Sequence, residues 1–302
     1  MRLWMDVHST YGEAVKTVCR DLRARAPERF ERTNDWRAAD VTVDLLVDSP
    51  IGTLNNVPRH RDADQHEWHR EMLMRLTGGQ RKALFPICSF EHSEVMRYAC
   101  REANVVFSFL PDFPERLGET AVNWRLQPLG VAPTQFTPGP PWKQRGYDVY
   151  TWGFVAETEY IDRIARVCAQ EGRSQLHSGF NFGWNHPTCS YARPAPRGQV
   201  AERYRQCRYA NAMRLPYGYE LAALEATLCG TRAICLDLMC YRHWFRDVVR
   251  YVSSGPSAEA DIARILSNQD DEPSADERAW VAETYNWDRV AGLFWDAVEE
   301  SL

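Results

Sequence analysis

The stretch Pro216-Tyr217-Gly218-Tyr219-Glu220-Leu221-Ala222-Ala223-Leu224-Glu225-Ala226-Thr227-Leu228-Cys229-Gly230-Thr231-Arg232-Ala233-Ile234-Cys235-Leu236-Asp237 decides how this chain folds. It opens on a proline–glycine loop, runs through residues of high helix propensity, stops at Gly230 and continues into an apolar run. That order predicts a loop, a helix of about three turns over residues 221–229, a glycine stop and a buried strand over Arg232–Leu236. A helix that starts at a sheet edge presents unpaired backbone N–H groups and the positive end of its dipole, which suits a diphosphate. Glu225, four residues after Leu221, falls either on the wet face of an amphipathic helix or where a carboxylate accepts two hydrogen bonds from the vicinal hydroxyls of a ribose.

The same alternation of short apolar runs and helical periods extends in both directions, which is the pattern of parallel sheets wrapped by helices. Residues 2–7 read as a buried strand that breaks at His8-Ser9-Thr10-Tyr11-Gly12, with a helix to about residue 26 burying Val15, Val18, Cys19 and Leu22. Strands follow at 41–47, 83–90, 105–109 and 123–129, with helices at 65–76 and 91–102 and a polar loop at 52–64. Thr137-Pro138-Gly139-Pro140-Pro141 reads as a stiff inter-domain linker. The pattern then restarts with a strand at 148–152, a turn at Gly153 and a helix at 157–171 that turns Ile161, Ile164, Ala165 and Cys168 inward. Residues 181–198, rich in Pro, Gly, Asn and aromatics, read as a long loop, and the tail from Trp280 as helix with Trp287, Val290, Phe294 and Val298 on one face.

A chain of 302 residues exceeds what one core usually fills, so two domains are expected. The boundaries read as an N-terminal domain at 1–138, a linker at 139–146, a C-terminal domain at 147–285 and a closing helix at 286–302. The net charge of −5 leaves no basic excess in either half, which argues against strong nonspecific nucleic-acid binding. Arg20, Arg23, Arg25, Arg29 and Arg32 form a local basic run, either a solvated helix face or a surface for an acidic acceptor. Nine cysteines without a CxxC pair point to free thiols in a reducing compartment. There is no secretory signal pattern and no apolar run long enough to span a bilayer, so a soluble, cytoplasmic protein is expected.

The quoted stretch resembles the nucleotide-sugar signature of retaining glycosyltransferases with the GT-B fold, especially family 4 and the spore-maturation-type group. Gly218, Leu221, Leu224, Glu225, Ala226, Cys229, Gly230 and Asp237 match in register, and Tyr219 stands for the signature's aromatic. Leu129-Gly130-Val131 with Phe136-Thr137-Pro138, Asp148–Gly153, and Tyr285-Asn286-Trp287 are similar to further segments of that family, in the right order. The resemblance implies two Rossmann-like domains facing each other across a cleft. It also implies a glycosyltransferase that moves a hexose or pentose from a UDP- or GDP-sugar to an acceptor hydroxyl, with retention and without metal or cofactor.

Under that resemblance the donor-binding residues are Glu225, Tyr217, Gly218, Tyr219, Glu220, Leu221, Gly153, Phe154, Ser9 and Gly12. Candidate catalytic groups that orient or deprotonate the acceptor are His92, Glu91 and His8, since a histidine near its ordinary pKa suits proton transfer. The acceptor is open: modified DNA carrying a hydroxylated base, as in compact phage-type enzymes, or a small molecule or glycan. Two departures stand out. Tyr217 replaces the glutamate that contacts the donor sugar in the family, and Phe154 with Glu157-Thr158-Glu159 replaces its diphosphate-gripping cations. Arg193, Arg197, Arg205 and Arg208 are candidate substitutes, and a non-catalytic or divergent sugar-nucleotide-binding protein is the alternative. Trp152 and Trp184 are read either as core or as flanking a base or acceptor. His60, His66 and His69 lack the i, i+4 pair of zinc proteases, so no metal site is assigned.

Overall fold

The computed structural model describes residues 1–6, 13–46, 74–75, 78–86, 94–118, 122–154, 160–180, 184–214 and 220–301. They divide into two compact units: residues 1–129 with 287–302, and residues 130–286.

In the first unit, β1 (Arg2–Asp6), β2 (Glu31–Arg32), β3 (Val41–Leu46), β4 (Arg81–Pro86), β5 (Val105–Ser108) and β6 (Trp124–Leu126) pair in parallel, in the order β2-β1-β3-β4-β5-β6. The order reverses between β1 and β3, the topological switch point of a doubly wound sheet. Parallel strands need crossovers, and α1 (Glu13–Ala24), α2 (Glu94–Glu102) and α3 (Phe113–Leu117) supply them. Helix α1 buries Val15, Val18, Cys19 and Leu22, the face expected from its period.

The core of this unit is aromatic. Phe294 stands 4.2 Å from Phe107 and 6.1 Å from Phe85, centroid to centroid, and Trp295 packs 5.4 Å from Phe30 while its indole N–H donates to the Leu22 carbonyl at 3.0 Å. Phe294 and Trp295 come from the last helix, so residues 287–302 complete a core that residues 1–129 begin. The helical tail is interrupted at Tyr285 and Asn286, between Ala275–Thr284 and Trp287–Glu300.

The second unit holds β7 (Tyr147–Phe154), β8 (Gln175–Phe180), β9 (Cys189–Ala192), β10 (Cys207–Asn211), β11 (Arg232–Leu236) and β12 (Val249–Val252), all parallel, in the order β12-β11-β10-β7-β8-β9. Here the order reverses between β7 and β10. The helices are α4 (Ile161–Gln170), α5 (Val200–Arg205), α6 (Leu221–Leu228), α7 (Met239–Phe245), α8 (Ala258–Ser267) and α9 (Ala275–Thr284); α10 (Trp287–Glu300) belongs to the first unit.

Two sequence expectations are corrected. Gly153 is not a turn: β7 continues through it to Phe154, in register with Gly179 and Phe180 of β8. A Cβ on Gly179 would lie 2.1 Å from the Gly153 carbonyl oxygen, so the ladder needs glycine at 179, and Gly153 itself has φ 104°, a conformation that favours glycine. The segment 181–198 is not all loop, since Cys189–Ala192 forms the edge strand β9. Its Ser190 and Tyr191 are exposed and it shows no apolar alternation, which is why its sequence reads as loop.

Candidate functional site

Helix α6 is buried on every side, and all eight of its residues from Leu221 to Leu228 are inaccessible. The reading of Glu225 on a wet face is therefore corrected: Glu225 is 2% exposed. A carboxylate in that setting is costly unless it is paired. Its partner is Arg197, from the three-residue 3-10 turn Arg197–Gln199 between β9 and α5. The Arg197 guanidinium also lies over the Phe136 ring, 5.2 Å from its centroid.

The carboxyl end of α6 is fixed from an unexpected direction. The side chain of Arg145 is wholly buried and donates to the carbonyls of Cys229 (3.2 Å), Cys207 (2.7 Å) and Pro140 (2.9 Å) and to Thr231 Oγ1 (2.8 Å). The Trp142 indole N–H donates to the Gly230 carbonyl at 2.8 Å. A cation and a donor thus meet the negative end of the helix, while Gly230 takes the left-handed conformation (φ 72°) that ends it. Burial pushes the Arg145 pKa down, and Glu272 opposes that shift.

The amino end of α6 follows β10, beside the switch point, where the carboxyl ends of β7 and β10 adjoin. Glu220 occupies the N-cap without a side-chain capping bond. Its carboxyl is 7% exposed and reaches Arg214 Nε at 3.9 Å; burial raises its pKa, Arg214 lowers it and Glu225 raises it further. The Arg214 guanidinium lies 4.7 Å above the Trp152 ring, next to Gly153 on β7. Arg214 therefore links the end of one central strand to the start of the helix that follows the other.

Of the expected donor-site residues, the structure brings Glu220, Leu221 and Glu225 together on α6, and places Gly153 and the Phe154 backbone at the end of the adjoining strand. Tyr217, Gly218, Tyr219, Ser9 and Gly12 lie outside the described residues, as do the acceptor-side candidates His92, Glu91 and His8 and the histidines His60, His66 and His69. Arg197 pairs with Glu225. Arg205 instead donates to Thr137, and Arg208 to Asp148 and Gln269. Arg193 is exposed.

The basic run of α1 is partly spent internally. Arg25 pairs with Asp21 (3.1 Å) and Asp288 (2.6 Å), Arg29 with Glu299, and Arg32 donates to the Arg23 carbonyl at 3.0 Å. Arg23 and Arg32 donate to neutral carbonyls, and the Arg20 and Arg29 side chains remain more than half exposed.

Sequence reasoning missed Arg145, Arg214 and His177. His177, on the opposite face of the sheet from α6, is 1% exposed and its Nδ1 stands 3.0 Å from Thr151 Oγ1. Gln175 Nε2 donates to that same hydroxyl at 2.8 Å, and His177 Nε2 has no hydrogen-bond partner. Burial lowers the His177 pKa to about 4. Trp184, read as a base- or acceptor-flanking residue, packs edge-on to His177 at 5.8 Å and donates to Asp162 at 3.0 Å. Neither the Arg145–Cys229 nor the Arg214–Trp152 contact has a local spacing that would expose it.

Among the described residues there is no group of three or more His, Cys, Asp or Glu side chains that could hold a metal, and no helix long and apolar enough to cross a membrane. The eight described cysteines form no disulfide with one another.

No protein-family model and no curated protein matches the chain. Solved structures do. A sucrose-phosphate synthase from Thermosynechococcus elongatus is similar over 99% of this chain and 98% of its own, with a TM-score of 0.69 at 14% identity. Anabaena HepE, solved with UDP and glucose, is similar over 99% of both chains (TM-score 0.70, 10% identity). AviGT4, a glycosyltransferase of avilamycin A biosynthesis, is similar over 99% of this chain and 96% of its own (TM-score 0.60, 12% identity). The chain has the GT-B fold, two parallel sheets each flanked by helices.

Proposed function

We propose that the protein is a glycosyltransferase that takes a sugar from a UDP- or GDP-sugar and passes it, with retention and without a metal, to an acceptor hydroxyl. The observation that carries this reading is the pair of buried carboxylates on α6, Glu220 and Glu225, at a helix whose amino end lies beside the switch point of the second sheet. Buried carboxylates are retained at a cost of several kcal/mol, and a nucleotide supplies the groups that would use them. Glu225 accepts from the ribose hydroxyls. The first amides of α6 and the Arg214 guanidinium face the diphosphate as charge develops on the leaving group. Glu220, the N-cap five residues before Glu225, stands in for the carboxylate absent at Tyr217. The likeness in fold to AviGT4, a glycosyltransferase, and to HepE, solved with UDP and glucose, supports the choice of donor.

Acceptor-side chemistry is assigned from sequence alone, to His92, Glu91 and His8. The missing carboxylate at position 217 favours a second reading, a protein that binds the nucleotide sugar without transferring it. Calorimetric titration with UDP, GDP and their glucose and mannose conjugates tests the first step. The expected result is binding of one nucleotide series, weakened at least ~10-fold in Glu225→Ala, the usual cost of hydrogen bonds to a charged group. Release of free nucleotide on adding a panel of acceptors separates transfer from binding alone. No binding of either series would remove the proposal.

A further inference from the structure

The reading above gives Glu225 to the ribose, yet in this structure the carboxylate is already engaged. Its Oε1 contacts Arg197 Nη2, and with 2% of the residue exposed there is little other approach to it. The two partners are anchored very differently. Glu225 is held in a helix buried on all sides and fixed at its carboxyl end by Arg145 and Trp142. Arg197 sits in a short 3-10 turn whose other members, Gly198 and Gln199, are exposed, with open space around the Gly198 Cα; its own side chain is 32% exposed. The guanidinium rests on the Phe136 face, a surface that holds a planar cation by stacking as well as by charge.

We propose that Arg197 is a positioning residue that occupies the ribose place at Glu225 in the empty protein, so that donor binding is an exchange of the guanidinium for the two ribose hydroxyls. The inference rests on the donor-site reading and adds to it a specific competitor for the carboxylate. The exchange keeps the buried carboxylate hydrogen-bonded before and after, which a simple opening of the pair would not. It also means that the hydroxyls contribute less to affinity than their bonds to a carboxylate would give, because each nucleotide must first displace a charged partner.

The test is a cycle of two ligands and two proteins. Calorimetry measures UDP or GDP, whichever the wild type binds, and the 2′,3′-dideoxy form of the same nucleotide, against wild type and Arg197→Met. In the exchange, Arg197→Met leaves the carboxylate without its competitor, and the ratio of dideoxy to ribo dissociation constants rises about tenfold over wild type. A purely structural Arg197 would weaken both ligands by one factor and leave the ratio unchanged, and that result, or a fall in the ratio, overturns the proposal. Should Arg197→Met not fold, Arg197→Lys keeps the charge but not the planar fork, and the ratio is then expected to rise about threefold; an unchanged ratio overturns the proposal here too. If wild type binds neither nucleotide, the donor-site reading fails first and takes the exchange with it, an outcome distinct from a measured ratio that does not move.

Discussion

The two units use the same architecture and fill it with different chemistry. The first holds its sheet with rings: Phe85, Phe107, Phe294 and Trp295 meet at the centre, and the buried ion pair among its described residues is Asp44 with Arg75, 2.7 Å apart. The second buries Arg145, Glu220, Glu225, Arg232 and Asp271, most of them within reach of α6 or of the strand that follows it. Each buried charge costs free energy that apolar packing would not, so a unit selected for stability alone has no reason to gather them. The contrast places the demanding chemistry around α6.

The comparison breaks if the two units do not fail separately. Phe294→Ala empties a ring-filled site and should cost about 3–5 kcal/mol, with early hydrogen exchange confined to the first unit. Arg145→Met strands four acceptors at once and should cost about 3 kcal/mol or more, opening the second unit first. Loss of both units together in either variant would erase the distinction.

His177 sharpens it by pH. Its folded pKa of about 4 lies below the ordinary 6.5, so the unfolded chain binds more protons between those values. Stability from the neutral ring is complete above about pH 6.5 and lost as pH falls toward 4, by about 3 kcal/mol in urea melts. His177→Asn should flatten that window, and an unchanged profile would show that the ring titrates alike in the folded and unfolded chains. The smallest effect belongs to Glu220. Burial raises its pKa above the ordinary 4.5, so the stability tied to its protonated form is present below 4.5 and declines as pH rises through the folded value. Glu220→Gln should gain on wild type over that rise; a gap between the two that does not change with pH would contradict it.

What could be read beforehand follows from how far each signal reaches along the chain. The helix–glycine–strand unit at 221–236 is local, so its sequence shows it, and the apolar runs at 41–45 and 105–108 show their strands for the same reason. Strand β9 shows no apolar alternation because it is an exposed edge, and Gly153 reads as a turn because its partner glycine lies 26 residues away. Arg145 and Arg197 meet their partners across 84 and 28 residues, through long side chains with no periodic imprint. Of the site, the carboxylates were legible and Arg197 was named, though for the diphosphate and not for Glu225, while Arg145 and Arg214 were missed.

The interleaved order of the two units has a consequence for synthesis. Residues 130–286 form one uninterrupted span, whereas the first unit needs Phe294 and Trp295 from beyond that span. During translation the second unit can close as soon as its span clears the ribosome. The sheet of the first unit, although made before residues 130–286, waits for residues 287–302 to cover Phe85 and Phe107, and a ribosome stalled before residue 287 carries a nascent chain whose first unit is still open.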